Sequence, residues 1–253
     1  MKAACLAVRM TAALFLPAFL VLIAAALQPA KAGDFANTEI MGFSKDGRYF
    51  AFEEYGIQDG SGFPYSSIYV INVEEDRWVD GSPFRKVDEV IDPIDFDAAL
   101  ASAREDNLAR ARALLEAKGI GHQGLTVGHN PRSELSADPH VMSVWPRVVV
   151  PPIDEPIELT LEEFELPNAK CESYSIQTKG FRLALSQNGK TQVLNDDASV
   201  PDSRKCPLRY RIERVVTYYP DPRGAPVFAV LILMESHGFE GPDGRFLAVT
   251  GVL

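Results

Sequence analysis

The chain reads as mainly β with one packed α-helix, built either as propeller-like blades or as a β-sandwich with an N-terminal β/α extension. Three observations lead there. Tyr49, Ala51 and Glu53 alternate with Phe50, Phe52 and Glu54, and Ile68, Val70 and Asn72 alternate with Tyr69, Ile71 and Val73, the period of two of strands with a buried face. Val227 to Met234 is an uninterrupted apolar run, too short to span a membrane and of a length that suits a buried strand. Only one segment, Asp95 to Gly119, carries a long helical pattern.

Lys45-Asp46-Gly47 joins the first strands as a tight turn, because Asp tolerates and Gly favours a positive φ. In the helical segment, Asp95 or Asp97 can cap the start, and Lys118-Gly119 closes it. Leu100, Ala103, Leu108, Ala111, Leu114 and Leu115 form its expected apolar stripe, with Arg104, Glu105, Arg110, Arg112 and Glu116 pointing elsewhere. Residues 119–156 are rich in glycine, proline and polar residues, the composition of an irregular connection. Strands resume at Ile157. Asn188-Gly189 marks a hairpin between FRLALS and TQVLND, and a Pro-Asp-Pro-Arg-Gly-Ala-Pro turn separates YRIERVVTYY from VFAVLILME. The expected divisions are therefore 1–32 signal peptide, 33–118 hairpin and helix, 119–156 connection, and 157–253 a β-rich subdomain.

Met1 to Ala32 has the parts of a secretory signal: Lys2 and Arg9, an apolar core from Thr11 to Leu27, and Ala30-Lys31-Ala32 before Gly33. The expected compartment is the periplasm or the exterior, with no membrane insertion after cleavage. Loss of Lys2, Arg9 and Lys31 leaves 22 of 25 basic residues against 35 acidic ones and takes the net charge from −10 to −13. So acidic a chain lacks the clustered cations that nucleic acid or an anionic membrane surface requires. Cys171 and Cys206 are the two cysteines that remain, and in an oxidising compartment they are expected to form a disulfide.

The first hairpin resembles a blade repeat of the periplasmic TolB-like β-propellers. Phe43, Ser44, Asp46, Gly47, Arg48, Phe50, Ala51, Phe52, Ile68, Tyr69 and Val70 carry the likeness. Gly238 to Gly251 partly echoes it around Asp243-Gly244-Arg245, and closure of the last strand on the first hairpin would bring the two turns together. More broadly, the opening GFSKDGRYFAFEEYG, the central KCPLRYRIERV and the closing HGFEGPDGRFLAVTG are similar to an uncharacterised family of predicted secreted proteobacterial proteins. That resemblance implies export and carries no activity with it.

No motif announces catalysis. His122, His129 and His140 lie seven and eleven residues apart, without metal-ligand spacing, and neither G-x-S-x-G nor a phosphate-binding glycine loop occurs. No metal and no cofactor is expected. The function expected is a non-catalytic binding or interaction module of the cell envelope, taking a protein or small ligand through Asp59, Phe63, Tyr65, His122 and His129. The alternative is a periplasmic hydrolase using His129 or His140 with carboxylates brought near by folding.

Overall fold

The computed structural model describes residues 33–89 and 95–253; the expected signal segment, 1–32, lies outside them. The chain first lays down β1 (Asn37–Ser44), β2 (Tyr49–Ile57), β3 (Pro64–Asn72), β4 (Arg77–Trp78) and β5 (Phe84–Val87). Helix α1 (Phe96–Ala117) follows, and β6 (Ile120–His122) returns to pair with β1. Next, β7 (Leu125–His129) leaves for a second sheet, while β8 (Val141–Val144), β9 (Ile157–Glu165), β10 (Lys179–Gln187) and β11 (Lys190–Asp196) build a third. A short helix, α2 (Ala169–Glu172), bridges β9 and β10. Finally β12 (Pro207–Tyr218), β13 (Val227–His237) and β14 (Pro242–Val252) complete the second sheet in the order β14-β13-β12-β7.

All pairings within the three sheets are antiparallel. The sheets stack face to face, with the β12–β14 sheet in the middle. Its strand β13 shows why: Phe228, Val230, Ile232 and Met234 join Ile157, Leu159, Phe181 and Leu183 of the third sheet in one core. The alternate residues Val227, Ala229, Leu231 and Leu233 join Phe43, Phe50, Phe52 and Tyr69 of the first sheet in another. A strand buried on both faces has no polar face to show, hence the unbroken apolar run at 227–234. Of the two expected architectures the structure is the sandwich, here three sheets deep, rather than a ring of blades. Residues Gly33–Leu253 form one compact unit.

The helix covers the outer face of the first sheet. Asp95 caps it, its carboxylate accepting the Asp97 and Ala98 N–H groups, and Gly119 ends it at a φ of +64°. Its buried stripe is Ala103, Asn107, Ala111 and Leu115 at a spacing of four, which corrects the expected stripe: Leu108 is exposed, and polar Asn107 sits at the centre. The sheet face explains this. Ser66 points out of β3 there, and Asn107 Nδ2 donates to Ser66 Oγ at 2.9 Å and to the Ser66 and Phe84 carbonyls. Arg104 likewise turns inward, with its guanidinium 3.6 Å from the centre of the Tyr55 ring and paired to Glu53 and Glu39.

The echoed Asp-Gly-Arg triplets have different structures. At Asp46 the carboxylate accepts the Ser44 hydroxyl at 2.6 Å and the Arg48 N–H, and Gly47 takes a φ of +74°, a true turn. Asp243-Gly244-Arg245 instead lies within β14, opposite Ser236, Glu235 and Met234. Gly244 is small for a different reason: a side chain there would strike the Phe35 ring, which crosses β14 through a single parallel bridge. The last strand pairs with β13, not with the first hairpin.

Candidate functional site

Strand β14 is the outer strand of the middle sheet, so one row of its backbone groups points away from β13. Gly244, Phe246, Ala248 and Thr250 belong to that row. The Gly244 N–H donates to the Asp34 carbonyl at 2.8 Å, Phe246 N–H to Glu54 Oε2 at 2.8 Å, and Thr250 N–H to Asp76 Oδ1 at 2.7 Å. Capping the row with carboxylates blunts an open sheet edge. Between the two caps, Ala248 N–H meets no acceptor among the described residues.

Along this edge runs a cleft of about 580 Å³ walled by all three sheets. Tyr65 and Tyr69 of β3, Trp78 of β4 and Arg85 of β5 form one side; Asn195 and the turn Pro201–Lys205 form the other. Trp78 is 45% exposed and its ring lies 5.7 Å from that of Tyr69. The Arg85 guanidinium sits 5.7 Å from the Trp78 ring centre. At the inner end, Tyr65 donates to Asp34 at 3.0 Å, and Arg245 pairs with Asp34 while lying 4.6 Å over the Tyr65 ring.

Glu54 lies at the back of the cleft, accepting from Tyr69 O–H at 2.8 Å and from Phe246 N–H. Burial raises its pKa above the ordinary carboxylate value, against the pull of those two donors. Asp34 and Asp76 are raised for the same first cause. A carboxyl group that holds its proton more tightly when folded favours the fold fully below its unfolded value of 4.5, and that contribution is lost as pH rises through the folded value. Glu54→Gln keeps a carbonyl for Phe246 N–H and an amide to donate to the Tyr69 oxygen. The variant is therefore expected to gain stability relative to the parent as pH rises from acid to neutral, measured by denaturant unfolding across that range; a difference independent of pH would show that Glu54 does not titrate this way.

The residues expected from the sequence are divided around the molecule. Tyr65 is buried in the cleft, whereas Asp59 and Phe63 lie half-buried on the adjoining 58–63 turn, held by Gln58 N–H to the Phe63 carbonyl at 2.8 Å. His122 is exposed on β6, its ring 6.1 Å from Tyr218. His129 Nε2 lies 2.8 Å from Glu213 Oε1. A register shift between Ile212 and Arg214 makes Glu213 an extra residue in β12. His140 Nε2 lies 3.7 Å from Glu163, which already accepts from Lys179 at 2.7 Å. The two histidines thus meet different carboxylates, and neither lines the cleft. Among the described residues no group of three or more His, Cys, Asp and Glu side chains could hold a metal ion.

Sequence reading missed Glu54, Asp76, Trp78, Arg85 and Ala248. One signal was available for Glu54: adjacent Glu53 and Glu54 in a strand point to opposite faces, so a strand covered on both sides must bury an acid on each. Glu53 meets Arg104 under the helix and Glu54 meets β14.

Among the described residues no helix is long and apolar enough to cross a membrane. No curated protein and no solved structure matches the chain. A family model does, over residues 51–251, and by that match the chain belongs to the family described as "Predicted secreted protein (DUF2259)".

Proposed function

We propose that this is a non-catalytic binding module of the periplasm, whose ligand occupies the cleft along β14. The observation that carries this reading is the meeting of Trp78, Tyr69 and Arg85 with an open stretch of sheet edge at Ala248. A half-exposed tryptophan beside an unused backbone donor is a surface able to gain contacts from a ligand. The hollow is walled by residues of all three sheets. A hydrolase would be built on His129 with Glu213 or on His140 with Glu163, and among the described residues no hydroxyl or thiol is hydrogen-bonded to either histidine ring.

The chain has two tryptophans, Trp78 and Trp145, and only the first lines this cleft. In the exported protein carrying Trp145→Phe, Trp78 becomes the sole indole reporter. Titration with small acids, sugars and short peptides is expected to give a saturable fluorescence change with at least one class, accompanied by a raised unfolding midpoint. If every class leaves both readings unmoved, the cleft is not a binding site.

A further inference from the structure

The charges around the cleft run against those of the whole chain, and resting on the binding reading they define what it takes. Five basic side chains line it in a protein whose net charge is −10. Three are already neutralised: Arg245 by Asp34, Lys86 by Asp88 at 2.8 Å, and Arg204 by Asp197 at 2.5 Å. Arg85 and Lys205 meet no carboxylate within ion-pair distance among the described residues. Of the three acids that line the cleft, Glu54 and Asp76 are engaged from within the protein, while Asp202 is exposed on the turn that carries Lys205 and leaves Arg85 the cation without an acid of its own. Both Glu54 oxygens take donors from the protein, and Asp76 Oδ1 takes the N–H and the hydroxyl of Thr250. Around Trp78 the cleft therefore presents cationic donors, the Arg85 guanidinium and the Lys205 ammonium, beside the Ala248 N–H.

We infer that the cleft binds a carboxylate, of a small organic acid or of a peptide C-terminus, held by Arg85, Lys205 and Ala248 N–H with the adjoining part of the ligand against Trp78. A carboxylate matches the planar fork of arginine with two parallel hydrogen bonds and can accept from a backbone N–H at the same time. Trp78 offers the flat apolar surface on which an aromatic ring, a sugar face or a peptide side chain packs. Rigid mounting favours the arrangement, because Arg85 projects from a strand paired to β3 and Lys205 adjoins disulfide-bonded Cys206.

The test uses the Trp145→Phe protein and three matched pairs of probes: benzoate and benzamide, galacturonate and galactose, and acetyl-trialanine as the free acid and as the amide. At least one acid is expected to bind about 10-fold or more tightly than its neutral partner, as a charged hydrogen bond of this kind is lost with the charge. Arg85→Gln is expected to abolish most of that preference, Arg85→Lys to retain part of it, and Lys205→Gln to weaken it; each variant's unfolding midpoint confirms that it is folded. The acid that responds distinguishes a small acid from a peptide terminus. Equal binding of acid and neutral partners, or indifference to Arg85→Gln, overturns the carboxylate inference while leaving the cleft a binding site. Silence from all six probes overturns both.

Discussion

Truncation of Phe228 to alanine is expected to destabilise the protein by about 3–5 kcal/mol, the range for removing a fully buried aromatic side chain from a core. Phe228 lies in β13, has no exposed surface, and packs toward the third sheet. Its ring fills the space above Gly251 of β14, where even an added Cβ would come within 2.7 Å of it. Neighbours held in two sheets cannot both collapse into the vacancy, which places the loss toward the upper part of that range. A midpoint drop on the order of 10 °C follows for a protein of this size. Leu108→Ala on the exposed face of α1 is the control, with an expected change within about 0.5 kcal/mol. Denaturant unfolding of both variants measures the difference; a loss at Phe228 no larger than at Leu108 would mean that the middle sheet is not the shared layer of the two cores.

How much of this fold was legible depended on the range of the interaction. Strands, the Asn188-Gly189 hairpin and the Asp95 cap could be read because each depends on residues a few positions apart, and the structure has them: Asn188 and Gly189 both take positive φ, at 52° and 72°. The helix was legible, its contact face less so. Periodicity counts apolar residues, whereas the surface beneath α1 carries Ser66 and Glu53, so Asn107 and Arg104 were the better partners than Leu108. The stacking order of sheets could not be read at all, since nothing local says that β7 leaves its neighbours to join β12.

The candidate site follows the same rule. Tyr65 could be picked out as an aromatic beside a glycine-rich turn, and it does line the cleft. Arg85, Ala248 and Lys205 are unremarkable in their own segments. They come to line one cleft only because the three sheets stack there, which is a property of the tertiary structure. The histidines drew notice for their chemistry alone, and chemistry without spacing says little: His129 and His140 turn to Glu213 and Glu163 on different strands.

Removal of the Cys171–Cys206 bond is expected to produce the second large effect. The two residues are 35 positions apart, and a closed loop of that length stabilises by about 4 kcal/mol when its loss of freedom is charged to the unfolded chain. The bond's position gives it a second consequence. Cys171 lies in α2, between two strands of the third sheet, and Cys206 immediately precedes β12 of the middle sheet, so the bond joins two layers. It also anchors the turn Pro201–Lys205, one wall of the cleft. The double variant Cys171→Ala, Cys206→Ala introduces no polar group at the buried Cys171 site, so its deficit reports the cross-link itself. Denaturant unfolding should show the same deficit for this variant and for the reduced parent, and hydrogen exchange should rise first in residues 201–205. A reduced parent as stable as the oxidised one would leave the third sheet held by its apolar contacts alone. A deficit of the expected size without faster exchange in that turn would make the bond a staple between sheets with no part in shaping the cleft.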